Sequence, residues 1–281
     1  MALSKFNPEL VVVGGLQLME VDIDEKRRIS RLQELSSVLQ NLYVRQIPVH
    51  FEFAAASGTL LYVLNVGKYL KSRVDFVLYN DIRELVLPWV NSIGVNEQEL
   101  FILHHFLERG EHQVSTSSRP TLIEVGKQLT SVIDYAARMR RETGNSEALG
   151  RLDRIHFHSL EFHILCQRSG SSWADGRDAL VQGAMATTKS ACGESKRGRK
   201  IKQMQVKAED IELLLPRKVP FGLGSVSEFL ISPRAPINSW THDEFECLMV
   251  PVMVCKSPDH TAGLGDNISG SGLAYHRYGA G

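Results

Sequence analysis

A short apolar run, a helical pattern and a second apolar run follow one another within the first 53 residues, and this order restricts the fold more than any other feature. Leu10-Val-Val-Val13 is closed by Gly14 and Gly15, which predicts a buried strand. From Asp24 to Leu42, Ile29, Leu32, Leu35, Val38 and Leu39 recur at helical spacing. Ile47-Pro-Val-His-Phe-Glu-Phe53 then alternates, with Ile47, Val49, Phe51 and Phe53 on one face and His50 and Glu52 on the other. Strand, helix, strand predicts a parallel sheet with a right-handed crossover. Both faces of such a sheet are covered, so a Glu there needs a reason. A place at the carboxyl end of the strand, where these sheets bind ligands, supplies one for Glu52.

Beyond Phe53 the pattern varies. Leu60–Leu64 and Val74–Tyr79 read as strand-like or buried, and Ile82–Val90 as a helix ended by Gly94. Asn96-Glu-Gln-Glu99 opens a helix to about Leu107. Asn is a favoured N-cap, and Glu three residues on completes a capping box, which is a wholly local explanation. The functional alternative has Glu99 reaching a metal–water shell. Leu122–Arg141 is the longest helical pattern, Gly144–Gly150 a linker, and Arg154–Cys166, in which Ile155-His-Phe-His158 alternates, a strand. Ala174–Ser190 reads as a small-residue helix, and Phe221–Cys255 as short strands joined by Pro and Gly turns.

At 281 residues the chain makes one large domain or two small ones. The 32 basic and 32 acidic residues balance, so bulk charge calls for neither nucleic acid nor an anionic membrane. No apolar run approaches the ~20 residues that span a bilayer. Cys166, Cys192, Cys247 and Cys255 form no CxxC and are too few for a disulfide scaffold. His156, His158 and His163 lack a recognised zinc spacing, so sheet histidines are the favoured reading. The basic run Lys196–Lys202 lacks interleaved aromatics and reads as a solvated loop. Walker A, G-x-S-x-G and the Rossmann fingerprint are absent.

The chemistry concentrates near the C-terminus. A strand-like run, Cys247–Cys255, leads to Gly263-Leu264-Gly265-Asp266, and a helical pattern follows over Ile268–Tyr275. Glycines let backbone N–H groups converge, and a helix N-terminus adds its dipole, so the turn suits an anion. Asp266 sits at its mouth as a base for a hydroxyl proton. The plain alternative is a glycine loop with an Asp N-cap.

Four segments together resemble the ADP-dependent glucokinase family in its eukaryotic form. These are Ile47-Pro-Val-His50-Phe-Glu52, Ser92-Ile-Gly-Val-Asn96-Glu-Gln-Glu99-Leu, Arg154-Ile-His-Phe-His158, and Val252–Lys256 running into Gly263-Leu-Gly-Asp266. They carry the family's H-x-E, N-x-x-E and G-x-G-D motifs in order. The resemblance implies a ribokinase-like α/β fold, a mostly parallel sheet flanked by helices, with a lid domain closing over the sugar. It implies Mg²⁺-dependent transfer of the β-phosphoryl of ADP to the 6-hydroxyl of glucose, giving glucose 6-phosphate and AMP. Carried across, Asp266 is the catalytic base. Gly263, Leu264 and Gly265 form the anion hole, and Glu52 and Glu99, with Asp266, organise the metal. His50 and Asn96 complete the acidic motifs.

Against the family, Leu10 already matches a mid-protein strand. The chain is therefore expected to be the C-terminal, nucleotide-binding part of such a kinase over residues 1–281, with the lid and glucose pocket largely missing. Residues 58–79 and 193–218 fit the family poorly and are expected to be insertions. The expected partners are ADP, AMP and glucose, with no nucleic acid, no membrane contact from this chain and a monomeric state. Resemblance places the protein at the endoplasmic reticulum, or in the cytoplasm if the N-terminal segment is truly absent. An oxidising lumen would allow Cys192 and Cys255 to pair, although sequence leaves connectivity open. Two alternatives stand beside the kinase: a related sugar kinase with another donor or acceptor, and a non-catalytic nucleotide-binding module.

Overall fold

The computed structural model describes residues 7–16, 19, 24–53, 78–110, 119–192, 211–232, 235–257 and 264–278. Two compact units emerge. One comprises the described residues up to Pro120 together with Lys127–Arg154, the other Thr121–Gly126 and the described residues from Ile155 onward.

In the first unit, β1 (Val11–Val13), β2 (Val49–Glu52) and β3 (Ser92–Val95) lie side by side and parallel, with β2 in the middle. The register sets His50 against Ser92 and Glu52 against Gly94. The crossover from β1 to β2 is α1 (Glu25–Val44), as its spacing predicts. Asp24 caps α1 by accepting from the backbone N–H groups of Lys26 and Arg27. Its apolar stripe buries Leu32, Leu39 and Leu42 completely or nearly so. Arg28 is buried on the same helix and is charge-paired with Asp81 at 2.9 Å.

Two local expectations need correction. Leu78 and Tyr79 begin a helical segment over 78–85 and are not strand. The reason is period: Leu78, Ile82 and Val86 recur every four residues and are all buried. Tyr79 stacks on Phe53 with ring centroids 5.6 Å apart, which ties this segment to β2. Tyr62, Leu64 and Phe76 lie outside the described residues. Gly94, in turn, does not end a helix. The helical pattern has already tightened into a 3-10 turn over Leu87–Trp89 around Pro88, and Gly94 lies inside β3.

α2 (Glu97–Arg109) follows β3 directly and stops at Gly110, whose φ of 66° is the left-handed closure that glycine provides without a Cβ penalty. α3 (Leu122–Thr143), at 22 residues, is the long helix that the pattern anticipates.

The second unit holds β4 (Arg154–His158) from its second residue, and β5 (Phe162–Arg168). Ser159 makes the turn between them, donating its hydroxyl to the Phe162 carbonyl. The region expected as one strand is thus two. β6 (Trp173–Ala174), α4 (Gly176–Cys192), β7 (Ile211–Leu213) and the hairpin of β8 (Lys218–Leu223) with β9 (Val226–Leu230) come next. β10 (Asn238–His242) and β11 (Phe245–Pro251) are antiparallel, and β11 also pairs antiparallel with β5. β12 (Met253–Cys255) pairs with β7. α5 (Leu264–Ala274) and β13 (Arg277–Tyr278) end the described chain.

Leu165, Leu180, Ala184, Leu248, Val250 and Val252 form the core between β5, β11 and α4. α4 meets α5 at Gly183, where a Cβ would stand 3.3 Å from the Ile268 carbonyl, so the helices approach closely there. Cys166 and Cys247 face each other in register and form a disulfide; Cys192 and Cys255 form a second, joining α4 to β12. All four cysteines therefore pair: Cys192 with Cys255 is the pair the sequence analysis allowed, and Cys166 with Cys247 is one it did not name. The α/β class expected from the sequence is the one observed: the first unit holds a parallel set of strands with helices, and the second unit holds antiparallel strands with helices. Among the described residues no helix is long and apolar enough to cross a membrane.

Candidate functional site

β2 carries two polar side chains on one face, as its alternation predicts, and both are held. His50 is fully buried. Its Nε2 stands 3.0 Å from Glu52 Oε2, and its Nδ1 2.8 Å from Ser92 Oγ on β3. Arg154 Nη1, also fully buried, donates to the same Ser92 Oγ at 3.0 Å. The Glu52 side chain keeps 15 % exposure, at the carboxyl end of its strand. Such strand ends are where parallel sheets take their ligands.

The space for that carboxylate comes from glycine. A Cβ on Gly94 would collide with Glu52 Oε2 and stand 2.9 Å from its Cδ. Gly14, on the other side, is roomier, its Cβ position lying 3.6 Å from Glu52 Cβ. Gly94 is therefore a strand residue that must stay small so that the carboxylate can lie across the neighbouring strand.

Asn96 and Glu99 stand where β3 turns into α2 and form the complete capping box. Asn96 Oδ1 accepts from the backbone N–H groups of Gln98 and Glu99. Glu99 Oε2 accepts from the Asn96 backbone at 2.8 Å, and Oε1 from Asn96 Nδ2 at 2.9 Å. Both carboxylate oxygens thus serve the helix start, and Glu99 is 5 % exposed. A carboxylate oxygen has a second lone pair, so this box leaves capacity for a water but little for direct metal ligation.

Leu264, Gly265 and Asp266 occupy the first turn of α5. Sequence periodicity starts that helix at Ile268; the structure starts it four residues earlier, which turns these three from loop into helix N-terminus. Gly263 lies outside the described residues. His50, Glu52, Asn96 and Glu99 belong to the first unit, and Leu264–Asp266 to the second.

Elsewhere in the second unit, His156, His158 and His163 gather in the core, with ring centroids 5.6–6.4 Å apart. Burial, and next the charge of His158, push the His163 imidazole down to about 3. Among the described residues no three His, Cys, Asp or Glu side chains converge as a metal cage. Of the two carboxylates in the first unit that are candidates to organise a metal, Glu52 keeps part of its side chain exposed, whereas both oxygens of Glu99 serve the capping box.

Sequence reasoning missed Ser92 and Arg154 as parts of the site. The available signal was parity: in a parallel pair, Ser92 falls beside His50.

The model for the "ADP-specific Phosphofructokinase/Glucokinase conserved region" matches residues 1–275. A bovine ADP-dependent glucokinase is 33% identical over 98% of this chain and 49% of its own length. A probable ADP-dependent glucokinase of Caenorhabditis elegans is 28% identical over 99% of this chain and 50% of its own. Among solved structures, an ancestral ADP-dependent phosphofructokinase from Methanosarcinales superposes with a TM-score of 0.59 at 14% identity, over 96% of this chain and 51% of that one. This last likeness speaks to the fold. The chain spans about half the length of the curated relatives it matches. A match that runs nearly end to end, through H-x-E, N-x-x-E and G-x-G-D in order, places the chain in the ADP-specific phosphofructokinase/glucokinase family.

Proposed function

We propose that this chain is the phosphate-handling part of an ADP-dependent glucokinase, which moves the β-phosphoryl of ADP to the 6-hydroxyl of glucose and releases AMP and glucose 6-phosphate. The observation that carries the reading is the Glu52 carboxylate, held by His50 across Gly94 at the carboxyl end of a parallel strand. Phosphoryl transfer asks the protein mainly for placement and charge neutralisation. Mg²⁺, when bound, supplies neutralisation of the phosphate charge. Glu52 would hold the ion's water shell, with Glu99 and Asn96 presenting the first turn of α2 beside it. Backbone N–H groups of Gly263, Leu264 and Gly265 would take the charge that gathers on the transferring group. Asp266, in the first turn of α5, would accept the proton of the sugar hydroxyl.

The test is a coupled assay for glucose 6-phosphate with ADP, Mg²⁺ and the 281-residue chain. Turnover supports the kinase. Binding of ADP or AMP with no turnover favours the second reading, a nucleotide-binding module. A fructose 6-phosphate arm tests the related-kinase reading, since one similar solved structure is an ADP-dependent kinase in complex with fructose-6-phosphate and ADPbetaS.

Gly94→Ala is expected to separate the site from the fold. The new Cβ meets the flexible end of Glu52 and displaces it from His50. Affinity for Mn²⁺–ADP, measured by titration, should fall about tenfold, in keeping with lost orientation of a metal-shell carboxylate. The melting temperature should move by only a few degrees, the effect of about 1 kcal/mol. Unchanged Mn²⁺–ADP affinity would remove Glu52 from the metal site.

A further inference from the structure

Arg154 and Ser92 have no place in the chemistry above, yet both are among the most deeply buried polar residues of the chain. We propose that they are positioning residues, which hold the His50 ring as its Nε2–H tautomer and thereby fix the Glu52 carboxylate at the end of β2. The proposal rests on the reading that Glu52 serves the metal–phosphate site.

The order of the hydrogen bonds follows from donor chemistry. A guanidinium only donates, so Ser92 Oγ accepts from Arg154 Nη1 at 3.0 Å. The Ser92 hydroxyl has one hydrogen, and His50 Nδ1, 2.8 Å away, is placed to accept it. The ring hydrogen is then on Nε2 and donates to Glu52 Oε2 at 3.0 Å. A carboxylate only accepts, so the Glu52 end demands the same tautomer. Both ends of the chain of bonds agree on where the ring proton sits.

The alternative tautomer, with hydrogen on Nδ1, would set a bare Nε2 lone pair against a carboxylate oxygen. That places two acceptors 3.0 Å apart where burial makes an unmade bond most costly. A hydrogen bond to an ionised carboxylate is also the stronger kind, so it restrains the two outer torsions of Glu52 that the backbone leaves loose. Gly94 leaves the room, and the His50 bond selects one pose within it. Arg154 lies 62 residues from Ser92 in sequence and only enters the arrangement because the chain returns beside β3, where the Arg154 and Asp153 backbone N–H groups bond the Asn91 carbonyl.

The test reads the ring nitrogens directly. In a ¹⁵N-labelled sample of the 281-residue chain, His50, assigned by its loss in His50→Gln, is expected to show a protonated Nε2 and an unprotonated Nδ1. Ser92→Ala should collapse that preference to a mixture, and Ser92→Thr, which keeps the hydroxyl, should restore it. A protonated Nδ1 in the parent chain, or a Ser92→Ala spectrum unchanged from the parent, overturns the bond order. Affinity for Mn²⁺–ADP should fall about tenfold in Ser92→Ala and return in Ser92→Thr, as outer residues behind a metal-shell carboxylate do. A tautomer mixture with undiminished affinity overturns the positioning role. Should Ser92→Ala not fold by circular dichroism, Arg154→Lys takes its place: one donor kept, the fork lost, and an intermediate tautomer shift expected. Absence of Mn²⁺–ADP binding by the parent chain refutes the phosphotransfer reading, and with it the purpose assigned to Glu52. The tautomer spectra then still decide the bond order.

Discussion

In the glucose phosphorylation proposed above, Asp266→Asn is expected to lower kcat by about a thousandfold while leaving the apparent affinity for ADP within about twofold. Asn has nearly the same shape as Asp but cannot take up the hydroxyl proton. A positioned base contributes roughly 10²–10⁴ in rate, and a thousandfold loss corresponds to about 4 kcal/mol of transition-state stabilisation. Asp266 lies in the first turn of α5, where the helix field favours a carboxylate. Losing that charge should cost the fold no more than about 1 kcal/mol, so the variant remains assayable. Initial rates at varied ADP and glucose separate the cases. A fall in kcat alone assigns Asp266 to proton transfer. A rise in KM for ADP with kcat preserved assigns it to nucleotide or metal binding and ends its role as base.

What was legible beforehand depended on whether a signal was local. The order strand, helix, strand over Leu10–Phe53 could be read because each element carries its own period, and Asp24 marks the start of α1 in the sequence itself. The capping box at Asn96 and Glu99 was legible for the same reason: all its partners lie within three residues. Gly94 was misread because a lone glycine in sequence looks like a helix terminator, whereas its use depends on a carboxylate one strand away. Leu78 and Tyr79 were misread because the four-residue period of Leu78, Ile82 and Val86 begins inside a run that also looks strand-like, with no cap residue to mark the start. The disulfide between Cys166 and Cys247 needs the register of β5 on β11, which spans 81 residues. Ser92 and Arg154 stand in two of the quoted segments but received no role, for a chemical reason too. Neither belongs to a motif that does chemistry, and their use lies wholly in what they do to His50.

The same separation between what a residue is and what surrounds it governs the response of the chain to acid. His163 is fully buried beside His156 and His158, and its imidazole is pushed from the usual 6.5 down to about 3, by burial first and then by the charge of His158. The unfolded chain takes up a proton on this ring below pH 6.5, while the folded chain resists it until about pH 3. The unfolded state therefore binds more protons throughout that window. The stability contributed by neutral His163 is complete above pH 6.5 and is lost as pH falls toward 3. At about 1.4 kcal/mol per pH unit for one proton, the loss amounts to roughly 4 kcal/mol across the window. Urea unfolding followed by tryptophan fluorescence should show it, because Trp173 and Trp240 lie in the same unit as His163. His163→Leu replaces the ring with an apolar side chain that cannot titrate, so its unfolding free energy should fall less steeply between pH 6.5 and 4.5, by about one proton's slope. Identical slopes for the two proteins would show that the acid response comes from other groups.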